Sequence, residues 1–319
     1  MAAIAVAVLA AVYVRSRGLA QPGFISDFDQ VWAAARAWVQ GRNPYDEVGP
    51  GAPFHWKWPL YYPFPAVLLA TPVALLPVLY ARMVFAGVSA GLFTWAISRD
   101  GWARWPILFS VAFLVSVDLV QWSPLLSAMY FIPALGALVV VKPNFGLPLL
   151  AAAVRRRDAL WIVGGGAGLV VVSLALLPSW PAEWLANVRS APHFRAPVTR
   201  PLGFLLLLAV LRWRRAEARW LLGLALMPQA PSFYDPLLLV AVCVTWWESA
   251  VLALGTWALL RVAIVLGPQV DYAIWGPVVG NAAIWTCYLP ALVIILLRPN
   301  VGPVPAVFPR FWAKTGQPT

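Results

Sequence analysis

Charge is what this chain lacks most. Asp, Glu, Lys and Arg make up only 11% of its 319 residues, while 62% are hydrophobic. A soluble domain carries roughly a quarter charged residues, so an ordinary water-soluble fold is excluded and a polytopic membrane protein is left. Histidine and cysteine are nearly missing, two of each. With no CxxC, no HExxH and no paired histidine, a protein-held metal has almost no ligands to draw on. Neither a metal nor a cofactor is expected. Cys243 and Cys287 fall inside apolar runs, where a thiol behaves as a small hydrophobe, so no disulfide is implied. Lysine occurs only at Lys57, Lys142 and Lys314. The glycines at 164, 165, 166 and 168 look like a phosphate loop, but no Gly-Lys-Ser/Thr follows. Close helix packing explains them better.

What is present is a succession of apolar runs. The first, residues 2–14, reaches only about 20 Å as a helix, short of the roughly 30 Å hydrocarbon core. It reads as a thinned first span or the end of a longer one, and the Arg15/Arg17 pair behind it makes a poor signal peptide. A polar stretch, 15–62, follows. Further runs lie near 64–79, 83–98, 105–120, 124–141, 144–153, 160–178, 202–211, 220–228, 236–247, 249–266 and 278–297. Several are too short to span alone, and the total suggests about nine to eleven membrane segments in one domain over 1–319. Runs 220–228 and 236–247 read as half-helices around the break Pro228–Pro236. Irregular backbone at membrane depth survives only when buried in protein or lining a wet cavity.

The net charge of +11 fits topology better than nucleic-acid binding. Arg155, Arg156 and Arg157, then Arg212, Arg214, Arg215 and Arg219, sit in short loops, as the positive-inside rule places cytoplasmic loops. That puts 179–200 and 267–277 outside and the tail 298–319 inside. Arg82 and the Arg99/Arg104 pair conflict, because one span separates them. Tryptophans near run ends (Trp56, Trp58, Trp102, Trp105, Trp122, Trp180, Trp184 and Trp312) fit interfacial belts.

The segment Ser26–Asp46 stands out, because ionisable groups beside a bilayer need a reason. Residues 27–40 read as an amphipathic helix in the first extracytoplasmic loop, with Ser26 as N-cap and Asp27 and Asp29 in the first turn. At 100° per residue, Phe28, Val31, Trp32, Ala35 and Val39 share one face, and Asp29, Arg36 and Gln40 lean the other way. Asp29 therefore reads as a capping, solvated residue. Asp27, at the edge of the apolar face, reads as partly desolvated, which raises a carboxyl pKa and suits it to take a proton from a hydroxyl. Complementing the helix dipole explains both acids equally well. Asp118 and Asp235 lie in or beside apolar runs and need basic partners.

Asp27-Phe28, then Trp32-Ala33-Ala34-Ala35-Arg36-Ala37 and Gly41-Arg42-Asn43-Pro44-Tyr45, resemble the first extracytoplasmic loop of glycosyltransferase family 87. Further short motifs follow in order. Tyr62-Pro63-Phe64-Pro65, with Pro72 and Leu76-Pro77, is similar to the family's Tyr-Pro-Pro run. Gln121 before Ser123-Pro124 resembles its Gly-Gln segment, with Val120 in place of glycine. Lys142-Pro143 resembles its Lys-Pro, and Pro231-Ser232-Phe233-Tyr234-Asp235 a later Tyr-Asp break. The likeness covers about residues 24–240. It implies an all-α GT-C membrane fold and an inverting hexosyltransferase of glycolipid biosynthesis in the bacterial plasma membrane. Its donor would be a polyprenyl-phosphate sugar, mannose by family likeness, and its acceptor a glycolipid or glycan on the extracytoplasmic side. Asp27 would then be the catalytic base. Lys142, His193 and Arg195 are candidates to hold the donor phosphate, and Asp29, His55, Tyr62, Gln121, Tyr234 and Asp235 to line the cleft. Lys142 could equally snorkel to the interface, His193 be solvated, and His55 pack among aromatics. Asp27→Asn is expected to abolish transfer and Asp29→Asn to be mild. A transporter or flippase, or a non-catalytic membrane subunit, remains the alternative.

Overall fold

The computed structural model describes residues 1–303 except 192–193, 230–231 and 267–271. Among the described residues the only strands are a two-residue parallel pair, β1 (Val48–Gly49) and β2 (Phe54–His55); the other regular elements are helical. Among the described residues five helices are long and apolar enough to cross a membrane: Ala2–Ala20, Val78–Ser98, Arg156–Leu176, Trp246–Leu266 and Trp275–Leu296. Large apolar side chains such as Ile4, Leu9, Val171, Leu254 and Val265 stay exposed on them, as lipid contact requires. The chain is an all-α membrane protein.

The first helix, α1 (Ala2–Ala20), does not stop at Val14. It runs on through Arg15, which is exposed, and Arg17, whose charge is paired: Arg17 Nε lies 3.1 Å from Asp118 Oδ1, and Tyr13 donates to the same oxygen at 2.7 Å. The polar stretch therefore begins after Ala20, and 19 residues give a full-length first span. α1 lies antiparallel to Val78–Ser98 over a seam of small residues. A Cβ at Gly87 would come 3.1 Å from the Ala7 carbonyl oxygen, and one at Gly91 2.9 Å from Ala7 Cβ. Small residues every four positions let two membrane helices approach this closely. The Gly-rich run serves the same end: Cβ atoms built on Gly165 and Gly136 would meet Ala137 and Ile162 at 2.7 and 2.6 Å.

The short apolar runs form something other than spans. Helix Val111–Asp118 turns at 119–122 into helix Ser123–Phe131. The 3₁₀ segment Pro133–Val141 climbs to Lys142 and returns as helix Gly146–Ala152. Helix Ala216–Leu226 climbs to the break at 227–234 and returns as the 3₁₀ segment Asp235–Val242. A 9-residue 3₁₀ segment rises about 18 Å and an 11-residue α-helix about 16 Å, half of what a bilayer asks. The roots of these hairpins are held at one end of the molecule by arginines on backbone oxygens: Arg99 on Phe131 (3.2 Å), Arg219 on Ala151 (2.6 Å), Arg104 on Cys243 (2.8 Å) and Arg298 on Val242 (2.9 Å). Their tips point to the other end, where the chain between the first two spans lies. Against about nine to eleven expected segments, the described residues hold five helices of spanning length, a nest of half-height hairpins and two further short apolar helices, Phe64–Ala74 and Gly203–Arg212.

Candidate functional site

Helix α2 (Asp27–Val39) starts where its sequence says it should. Asp29 reaches back to accept from the Ser26 N–H and hydroxyl, both at 2.8 Å. The expectation that Asp29 is solvated is overturned, because the 78–98 helix covers that side. Arg82 Nε donates to Asp29 Oδ1 at 2.7 Å, its Nη2 pairs with Oδ2, and Nη2 also reaches the Phe24 carbonyl at 2.9 Å. Asp29 is 1% exposed and Arg82 7%. Asp29 is thus consumed by this pair and does not line a cleft, and a mild effect of Asp29→Asn is no longer expected. The pair also resolves the charge conflict: Arg82 is neutralised at the α2 end, and the Arg99/Arg104 pair sits at the other. α2 itself is buried nearly all round, Phe28, Val31, Ala34, Ala35 and Ala37 fully, with Arg36 exposed.

Asp27 faces elsewhere. Its N–H donates to the Leu119 carbonyl at 3.1 Å, and its carboxylate accepts from Gln121 Nε2. Both partners belong to the tip of the first hairpin. That tip is tight: Val120 has φ +53°, a left-handed conformation that a β-branched residue adopts at a cost. It is also the position where the resembled family carries glycine. Beside it, Gln121 Oε1, Trp122 Nε1 and Ser123 Oγ are buried and make no hydrogen bond to the described residues.

The second tip presents Lys142, half-buried, with Nζ 5.8 Å from the Tyr62 ring centre and 5.7 Å from that of Tyr234. The third presents Asp235, 5% exposed, which accepts from the Ser232 N–H at 2.8 Å. Lys142 interacts electrostatically with both Asp27 and Asp235, yet among the described residues it closes an ion pair with neither. Tyr62 packs on Trp122, ring centres 6.2 Å apart, and its carbonyl accepts from the Tyr45 hydroxyl at 3.3 Å. Burial pushes the Asp27 carboxyl up to about 6; Lys142, then Lys57, oppose this, Asp29 adds to it, and the Gln121 hydrogen bond opposes it. Such a group is ionised at neutral pH yet basic enough to accept a proton.

Asp27, Gln121, Lys142, Asp235, Tyr62 and Tyr234 are therefore brought together. His55 is exposed on β2. Arg195 is exposed, with its backbone tied to Gln229 in an antiparallel bridge (3.1 and 3.3 Å) beside the third tip. His193 and Pro231 lie outside the described residues. Sequence reasoning missed Arg82, whose signal was a lone arginine at the head of an apolar run, and Lys57, which faces Asp27. Trp122, read from sequence as an interfacial tryptophan, and Ser123, read as part of the Gln121 motif, were not expected as site residues. Among the described residues no group of three or more His, Cys, Asp or Glu side chains could hold a metal ion, and both cysteines are buried and unbridged.

Two cavities flank the second hairpin. One, of about 290 Å³, is an apolar groove lined by Val139, Pro143, Leu147, Leu150, Val163 and Val170. The other, of about 210 Å³, meets it at Ile162 and extends past Met129 and Pro133 to Asp158. The groove begins at the residue after Lys142. No protein-family model, curated protein or solved structure matches the chain.

Proposed function

We propose that the chain is a membrane glycosyltransferase of the GT-C type, acting at the extracytoplasmic face. It would move a sugar, mannose by family likeness, from a polyprenyl phosphate to a glycolipid or glycan hydroxyl. The observation that carries this reading is the pair of half-buried charges, Asp27 and Lys142, which face one site without closing on each other. Asp27 takes the proton of the acceptor hydroxyl, and that oxygen attacks C1 of the sugar. The bond from C1 to the phosphate oxygen breaks, and the electron pair leaves with the lipid phosphate, inverting the anomeric centre. Negative charge grows on the departing phosphate as this happens, and Lys142 is placed to stabilise it. Asp235 and the two tyrosines keep the lysine in place, and Gln121 orients the base. The apolar groove starting at Pro143 supports a donor whose phosphate carries a long hydrocarbon chain.

The test is transfer from labelled polyprenyl-phosphate sugars into lipid and polymer fractions, with the product's anomeric configuration read by NMR. Label in an inverted product is expected with at least one sugar. Half-height hairpins with charged tips also suit a transporter, which holds substrate where helices are broken. Movement of intact donor or free sugar across sealed vesicles, with no new glycosidic bond, would favour that reading and overturn the transferase.

A further inference from the structure

The buried Asp29–Arg82 pair is not used by the reaction above, yet it sits two residues from its base. Ser26, Asp29, Arg82 and the Phe24 carbonyl form one closed set of hydrogen bonds that ties the first turn of α2 to the 78–98 helix. Phe28, between the two aspartates, stacks on Phe85 at 4.3 Å, and Phe85 packs against Trp122 at 4.7 Å. The helix bearing Arg82 thus touches both the turn that carries Asp27 and the turn that carries Gln121. We infer that Arg82 is a positioning residue for Asp27: through Asp29 it fixes the first turn of α2 and cancels the negative charge nearest the base along that helix.

A fork with two N–H groups on one carboxylate holds direction as well as charge, which an ammonium does not. The groups facing Asp27 are Lys142 from the second tip, Lys57 from the segment after β2, Gln121 from the first tip and Asp29 from its own helix. Asp235 and Tyr62 interact with it as well. Of the acids, only Asp29 has its own dedicated cation. Removing Arg82 leaves the Asp29 carboxylate without its cation, so Asp27 gives up its proton at higher pH. Removing the Asp29 charge leaves Arg82 uncompensated, and Asp27 ionises at lower pH.

The experiment is an infrared titration of the full chain in lipid nanodiscs. The Asp27 carboxyl band is isolated in each background by subtracting the spectrum of the same protein carrying Asp27→Asn. Arg82→Met should raise the Asp27 midpoint by roughly one pH unit and Asp29→Asn lower it by a similar amount. The double variant, which leaves no lone charge, should return it near the wild-type value. An unchanged midpoint in either single variant, or shifts of the same sign in both, overturns the inference. Where one single variant does not fold, the other still decides the sign. A double variant whose midpoint departs clearly from the wild-type value overturns it too. The inference rests on the proposed reaction only for what the ionisation is used for. No sugar donor enters the titration, so a chain that transfers nothing refutes the reaction and leaves this result readable.

Discussion

The two ends of this molecule handle charge in opposite ways. At the end that holds the hairpin roots, the charges that tie the elements together close on one another or on backbone oxygens. Arg298 pairs with Glu217 at 2.8 Å and Glu248 at 2.6 Å, Arg215 pairs with Glu217 at 2.6 Å, and Glu248 also accepts from the Val244 and Thr245 N–H groups. Arg212 caps the last span through the Leu296 and Arg298 carbonyls. At the other end Asp27, Lys142 and Asp235 come from three separate elements and face one another without an ion pair. The lesson is in what each arrangement is for. Charges that satisfy each other tie the short hairpins to the spans and ask for nothing more. Charges held apart in an apolar surround carry a desolvation cost, which a bound substrate with a phosphate and a hydroxyl would offset.

Within the α2 end the same contrast separates Asp29 from Asp27, and it gives the largest expected effect. Asp29→Asn should destabilise the protein by about 2–4 kcal/mol, because it breaks a buried pair and weakens a helix cap. Thermal unfolding in detergent measures it, and a change below the error of the method would mean that the pair is not closed. Next is Lys142→Met, expected to lower transfer by roughly 100-fold, mainly in kcat, since the charge it meets grows in the transition state. A pure rise in KM would instead make the lysine an anchor for the ground-state phosphate.

Asp27→Asn should act on stability in the opposite direction to Asp29→Asn. Because Asp27 ionises near 6 when folded and near 3.8 otherwise, its ionisation costs stability as pH rises through that window. Asn removes the cost, so the variant should gain on the order of 1–3 kcal/mol at pH 7.5 and nothing at pH 3.5. Equal unfolding temperatures for variant and wild type at both pH values would contradict the burial of this carboxyl. Glu217→Gln, at the other end, should cost about 1–2 kcal/mol and leave the transfer rate within a few-fold. The smallest effect belongs to Val120→Gly. Relief of a left-handed valine should stabilise by about 1 kcal/mol or less, and a loss of stability would mean that the side chain's packing outweighs the strain.

Much of the site was legible because it is local. Ser26 followed by Asp29 marks the helix start, and the 3.6-residue spacing by itself sets Asp27 and Asp29 on different sides of α2. The half-helices at 220–228 and 236–247 were legible from their length and from the prolines between them. What sequence could not give is long-range. The partner of Asp29 lies 53 residues away, so a buried acid read as a solvated one. Arg15 and Arg17 looked like the end of a span because the compensation of Arg17 by Asp118 comes from a different run. Runs 124–141 and 144–153 were legible as apolar runs, but nothing in their composition says that Lys142 between them is the tip of a hairpin.

The central claim is that Asp27 is the base and that the α2 end, not the root end, does the chemistry. Its most direct test is the initial rate of sugar transfer from labelled polyprenyl-phosphate mannose by membranes holding equal amounts of wild type, Asp27→Asn or Glu248→Gln, from pH 5 to 8. The account predicts that wild-type transfer rises through about pH 6 and that Asp27→Asn loses roughly 100- to 10,000-fold at every pH. Glu248→Gln should follow the wild-type profile. Equal transfer by wild type and Asp27→Asn, or a larger loss in Glu248→Gln, would contradict it.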